Sequence, residues 1–300
     1  MKVTVTGGAG KVGQAVAREF LDAGYTVQII DRAAPPADLR ERCEVCYLDL
    51  TDRLGLLRAL EGSEAIAHLG AIPNPTGGKD LELFPTNVVG TQYVLAAAEA
   101  HDIRRVALAS SVSIHGMAFQ KSHTLQPHYL PLDENHPIEN EDVYGLSKQC
   151  NELTAAMYTR RTGMATTCFR LTWVTDLEKL DRWSARWLER AGENKSPDMW
   201  SYVDRRDVAS AFRLAIEKVE SGHHILLLAA RDLWGADGDS AEGWRARIEQ
   251  HYPNLVSFLD NGFDYGKYGF LDTSRATELL GWESRFHWRE ALEERLKDEG

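Results

Sequence analysis

Three hundred residues give this chain room for a sizeable core, and a net charge of −11 argues against a general surface for nucleic acid or an anionic membrane. The apolar and charged fractions are those of an ordinary globular protein, and no apolar run approaches membrane-spanning length. Met1 leads directly into the first predicted strand, so no signal peptide is expected and the expected compartment is the cytoplasm. Cys43, Cys46, Cys150 and Cys168 include no second C-x-x-C pair, so they are expected as reduced thiols, with no metal site.

The chain opens with Val3-Thr-Val-Thr-Gly-Gly-Ala-Gly-Lys-Val-Gly13, an apolar strand that turns through glycines into a helix. Such a turn suits a phosphate, because the helix end offers unpaired N–H groups and a partial positive charge. Glycine permits the close approach. Gly7, Gly10 and Gly13, with Lys11 and Val12 between them, are therefore candidate cofactor-binding positions. An apolar stripe of Val12, Val16, Phe20 and Leu21 predicts a helix to Ala23.

A second strand, Thr26–Ile30, ends at Asp31, at the spacing of a βαβ unit. An acid there can accept hydrogen bonds from both ribose hydroxyls of an adenosine and would repel a 2′-phosphate. Arg32 follows and leaves some room for the phosphorylated cofactor. A Pro-containing loop is expected over Ala33–Glu41, and a third strand over Glu44–Leu48. Asp49 and Leu50 are placed to meet an adenine ring, and capping of the helix at Arg53–Leu60 is compatible with that. The fourth strand, Ala65–Leu69, ends in Gly70 and Ala71, small enough for a cofactor to lie across. His68 is expected to be packed within it.

Asn87 opens a predicted long apolar helix to about His101. A fifth strand, Arg105–Ala109, ends in Ser110 and Ser111. A polar loop, Phe119–Glu141, precedes a helix from Val143 to about Thr162, and a sixth strand covers Ala165–Arg170. Six strands alternating with helices imply a parallel sheet covered on both faces, which binds ligands beyond the carboxyl ends of its strands.

All eight tryptophans lie after Arg170. This predicts a smaller lobe over 172–300, with helices at about Asp181–Ala191, Asp207–Lys218, Ser240–His251, Ser274–Leu280 and Trp288–Lys297. His223–Ala229 reads as a strand, so residues 207–230 are candidates to rejoin the main unit of 1–171. Most tryptophans are expected in the lobe core, with one or two near Trp173–Trp187 walling a pocket.

Tyr144-Gly-Leu-Ser-Lys148 is Y-x-x-x-K at a helix start, which sets both side chains on one face, one turn apart. A nearby ammonium is expected to lower the phenol pKa toward the working pH, so that Tyr144 can exchange a proton with a carbonyl or hydroxyl. Ser111 can donate a hydrogen bond to the same oxygen. Ser111, Tyr144 and Lys148 are the candidate catalytic set.

Together with Asp49-Leu50, Asn87-Val-Val-Gly-Thr91, Ser110-Ser111, Tyr144-Gly-Leu-Ser-Lys148 and Tyr202-Val-Asp-Arg-Arg-Asp207, the opening Thr6-Gly-Gly-Ala-Gly-Lys-Val-Gly13 resembles the extended short-chain dehydrogenase/reductase family, the NAD-dependent epimerase/dehydratases. The resemblance covers nearly the whole chain. It implies a Rossmann-type doubly wound α/β fold with a C-terminal substrate lobe, and NAD rather than NADP as cofactor. It implies that Tyr144 is the acid/base, that Lys148 also bonds the nicotinamide ribose, that Ser111 polarises the reacting C–O group, and that Asn87 lies in the cofactor cleft. Local stretches are similar to uronate dehydrogenases.

After strand six, Arg170-Leu-Thr-Trp-Val-Thr-Asp176 lacks the Asn and the Tyr-Gly-Pro-like turn usual in nucleotide-sugar members. The expected activity is hydride transfer between NAD and a secondary alcohol or ketone of a sugar or sugar-acid-like substrate. A nucleotide-sugar 4-epimerase with tightly bound NAD and a non-catalytic NAD-binding sensor are the alternatives. Ser111, Ser113, Thr172, Trp173 and Arg182 are candidate substrate contacts by position. The helices Asn87–His101 and Val143–Thr162 are candidates to pair across a two-fold axis, as they often do in this family, making a homodimer.

Overall fold

The strand and helix signals come together as one parallel sheet in a computed structural model that describes residues 1–76, 80–177, 195–234, 241–263 and 269–298. Its strands are β1 (Lys2–Thr6), β2 (Thr26–Asp31), β3 (Glu44–Tyr47), β4 (Ala65–His68), β5 (Arg105–Ser111) and β6 (Ala165–Leu171). Two short strands, β7 (Trp173–Thr175) and β8 (Tyr202–Asp204), pair apart from it, and β9 (His223–Leu228) returns to it beside β6. The order is β3-β2-β1-β4-β5-β6-β9, every pairing parallel. The chain winds outward from β1 to β3, then crosses back to β4 on the other side of β1. That reversal leaves a crevice at the carboxyl ends of β1 and β4.

Two apolar layers hold the sheet. On one face, α1 (Lys11–Asp22) and α7 (Arg205–Lys218) bring Val16, Phe20, Val208 and Phe212 onto Val3, Val5, Ile29 and Phe169. On the other, α3 (Arg53–Ala59), α5 (Gly90–Ala100) and α6 (Val143–Thr162) bring Leu56, Val94, Leu95 and Ala155 onto Ile30, Ile66 and Leu108. Burying each of the larger side chains contributes about 1.5–3 kcal/mol before the entropy of ordering is subtracted.

A third cluster gathers Trp200, Trp234, Trp244, Tyr252, Phe270 and Trp288 with Met117, Leu130 and Leu132. It joins the 119–141 loop to the C-terminal segments. Trp282 departs from the expected lobe core. It packs in the layer under α1 and α7, and its indole N–H donates to the Asp207 carbonyl at 2.9 Å.

Among the elements that differ from expectation are two in the first hundred residues. The stretch read as loop contains α2 (Ala37–Arg42), which buries Leu39. The helix read as beginning at Asn87 instead starts with α4 (Asp80–Phe84) and a π-helical turn, Pro85–Val89, ahead of α5. The expected helix at Asp181–Ala191, with Arg182, lies outside the described residues. Among the described residues, no helix is long and apolar enough to cross a membrane.

Candidate active site

The glycine turn is shaped by what lies behind it. Gly7 sits at φ +71°, and a Cβ there would lie 2.6 Å from the Gly70 nitrogen. At Gly13 a Cβ would lie 2.1 Å from the Gly7 carbonyl oxygen. Only hydrogen fits at either position, so β1 turns into α1 while lying flat against the end of β4. No side chain caps α1, and no acid occupies its first turn. Its free N–H groups and positive end therefore face the crevice through Gly10, Lys11, Val12 and Gly13. These features fit a dinucleotide pyrophosphate.

Asp31 ends β2 beside this turn. Its carboxylate accepts from the Ala9 N–H at 3.0 Å and the Ala33 N–H at 2.9 Å, which fixes its direction. Asp49 accepts from the Thr51 N–H and hydroxyl, which hold its carboxyl below the usual range. Arg32 reaches Asp49 at 3.3 Å rather than extending freely from the end of β2. Leu50, Leu69, Gly70 and Ala71 complete this wall.

His68 is packed within β4, between the hydroxyls of Thr6 at 2.6 Å and Thr91 at 2.9 Å. Burial pushes both His68 and His115 down to about 3. Unfolding returns them to an ordinary pKa near 6.5, so the unfolded chain binds more protons below that pH. Their contribution to pH dependence is therefore flat above about pH 7. Stability is expected to fall as pH drops below about 6.5, by up to roughly 1.4 kcal/mol per pH unit for each histidine. Urea unfolding across that range checks this, and equal stability at pH about 7.5 and about 5 contradicts it.

Asn87 departs from its expected place. It is fully buried and absent from the cavity wall. Its amide accepts from the Ile72 N–H at 2.8 Å, and donates to the Ile72 carbonyl at 3.1 Å and the Ser147 hydroxyl at 3.1 Å. It ties the loop after β4 to α6 from behind.

At the start of α6, Asp142 accepts from the Gly145 N–H at 2.8 Å, and the first turn carries Tyr144 toward the end of β5. Tyr144 and Lys148 share a helix face, with the ammonium 5.6 Å from the ring centroid. The phenol meets the Ser111 hydroxyl, and Ser111 donates to Ser113 at 2.9 Å. Phe119 lies edge-on to the Tyr144 ring, 6.0 Å between centroids.

The electrostatics correct one expectation. Burial pushes Tyr144 up to about 12 and Lys148 down to about 8, and contact with Ser111 only partly offsets the first shift. The Lys148 ammonium donates to the Ala109 carbonyl at 2.8 Å. Desolvation disfavours the charged form of both groups, and the phenol holds its proton at neutral pH.

Ser110, Ser111, Ser113, Tyr144, Lys148, Thr172 and Trp173 all line one cavity of about 1000 Å³ that continues from the glycine turn. The far end adds groups the sequence reading did not single out for the site. Asp176 and Arg205 form an ion pair at 3.0 Å, and burial raises Asp198 to about 6. Arg205 lies inside the Tyr202–Asp207 motif, which was a signal for it. Asp198 carried none.

L-arabinose 1-dehydrogenase (NAD(P)(+)) of Haloferax volcanii is 30% identical over 295 residues, 95% of this chain and 96% of its own length. Uronate dehydrogenase of Pseudomonas syringae pv. tomato is 28% identical over 172 residues, 57% of this chain and 58% of its own length. A short-chain dehydrogenase/reductase superfamily protein from Agrobacterium tumefaciens, solved with NAD bound, superposes with a TM-score of 0.73 at 23% identity, covering 100% of this chain and 97% of that one. The model of the NAD dependent epimerase/dehydratase family matches residues 3–228, from β1 through β9. With the glycine turn, Asp31 and the Tyr144–Lys148 pair inside that span, the chain is an NAD-dependent enzyme and belongs to this family.

Proposed function

We propose that this enzyme transfers hydride between NAD and a secondary alcohol or ketone of a sugar or sugar-acid substrate, with Tyr144 as the acid/base. The convergence of Tyr144, Ser111 and Lys148 at the inner end of the cofactor crevice carries the reading. NAD, when bound, supplies the hydride acceptor.

The glycine turn and the α1 terminus hold the pyrophosphate, and Asp31 takes the adenosine ribose. Ser111 orients the reacting oxygen against Tyr144. In the oxidation direction, Tyr144 Oη accepts the hydroxyl proton; in reduction it returns it. Lys148 stabilises the phenolate, which is the state that accepts the proton in oxidation and the state left after donation in reduction, because its charge is worth more in a site closed to water. Relatives named for L-arabinose and uronate oxidation support a free sugar or sugar acid. Incubation with NAD and a panel of such compounds tests this, with NADH formation as the readout.

We also propose a homodimer through α4, α5 and α6. Leu81, Val89, Leu146 and Leu153 are exposed along this face, Leu81 at 91% and Leu153 at 62%. Apolar groups gathered in this way fit a second copy of the same face across a two-fold axis. Sedimentation is expected to show a two-chain particle that Leu153→Glu weakens. A wild-type monomer at micromolar concentration contradicts it.

A further inference from the structure

We propose that Glu152 and Arg170, acting through Ser110, are positioning residues that hold the end of β5 in register with α6 for the reaction. This rests on the reading of Ser111, Tyr144 and Lys148 as the reacting groups.

Glu152 lies one turn beyond Lys148 and two beyond Tyr144, so all three share one face of α6. Glu152 is 4% exposed, and Arg170, whose guanidinium faces its carboxylate, is 2% exposed. Two charges so deep in a core need every polar atom satisfied. Glu152 accepts from the Ser110 hydroxyl at 2.7 Å, Arg170 Nε at 3.0 Å and Arg170 Nη2 at 2.9 Å. Arg170 Nη1 donates to the Glu134 carbonyl at 2.8 Å. Apolar side chains of similar volume would often hold a core equally well, so stability alone is a weak reason for such a pair.

Its geometry offers a better one. Three segments that build the site meet here: β5 through Ser110, β6 through Arg170, and α6 through Glu152. Lys148 binds the carbonyl of the preceding residue, Ala109. Two consecutive positions of β5 are therefore pinned to α6 immediately before Ser111. A shift of β5 along α6 would carry Ser111 away from the Tyr144 hydroxyl.

The pair also sets charge. The titratable groups facing Lys148 are Tyr144 and Glu152 from its own helix, Cys168 from β6 and His68 from β4. Burial keeps Cys168 protonated and His68 neutral. Glu152 is the carboxylate of this set and favours the ammonium against desolvation.

Two variants test the proposal. Ser110→Ala removes the link to β5 and leaves the ion pair intact. Glu152→Leu combined with Arg170→Met replaces the pair by apolar groups. Both are expected to melt cooperatively, with kcat reduced about tenfold or more and KM for NAD and substrate within about twofold of wild type. In the double variant the alkaline limb of the kcat profile is expected to move to lower pH, because Lys148 loses its proton sooner. A folded double variant with wild-type kcat and an unmoved profile overturns the proposal. If that variant does not fold, Ser110→Ala decides alone. Wild-type kcat there, or a loss confined to KM for NAD, overturns it. Full turnover of Tyr144→Phe in parallel would instead overturn the acid/base reading itself, and is a separate result from an inert Glu152.

Discussion

Tyr144→Phe is expected to lower kcat/KM by about 10²–10⁴-fold, the usual worth of a positioned acid/base. The protein should melt within a few degrees of wild type. Phe keeps the ring, the edge contact with Phe119 and the approach of the Lys148 ammonium. Only the hydroxyl is lost, and Ser111 retains Ser113 as a hydrogen-bond partner. The phenol is buried and protonated, so it is ready to donate to a carbonyl. Oxidation requires its proton to leave, so the oxidative rate is expected to rise toward alkaline pH. Steady-state kinetics in both directions check this, and near-wild-type turnover without the hydroxyl would contradict it.

Gly7→Ala is expected to cost roughly 2–5 kcal/mol, combining about 1–2 for a left-handed alanine with about 1–3 for overpacking. A Cβ at Gly7 would meet the Gly70 nitrogen at 2.6 Å, the Gly70 Cα at 2.7 Å and the Leu69 carbonyl carbon at 2.8 Å. All three are backbone atoms, so either the turn or the end of β4 must move. Both line the crevice, and NAD affinity should fall with stability. Gly24→Ala is the control. Gly24 also has positive φ, at +84°, but a Cβ there meets open space. It should show the strain cost of about 1 kcal/mol and unchanged NAD binding. Denaturant unfolding with NAD titration separates the two, and equal effects would contradict the steric argument.

The parts of the site legible in the sequence are those whose chemistry depends on local spacing. A strand ending in glycines, an acid at the next strand end and a tyrosine four residues before a lysine each fix a geometry over one or two elements. Gly7, Asp31 and Tyr144 therefore come together on the cavity wall. What spacing does not encode is depth. The Tyr144 and Lys148 pKa values are set by burial, which no local pattern reports. Asn87 has the right neighbours in sequence, yet it is turned behind the wall, onto Ile72 and Ser147. Helix α2 was hidden because Pro35 and Pro36 read as loop and only Leu39 anchors it. Asp198 and Arg205 reach the cavity from segments far from the glycine turn. Only the assembled fold shows that they share a space with Tyr144.

We propose net hydride transfer to NAD from a free carbohydrate, with Tyr144 as base. The direct measurement is nicotinamide absorbance when purified protein meets NAD and a panel of free sugars and sugar acids, with Tyr144→Phe alongside. The expected result is stoichiometric NADH from at least one compound, and loss of that signal in the variant. Interconversion of a UDP-sugar with no net NADH, together with inertness toward every free sugar and sugar acid, would contradict it.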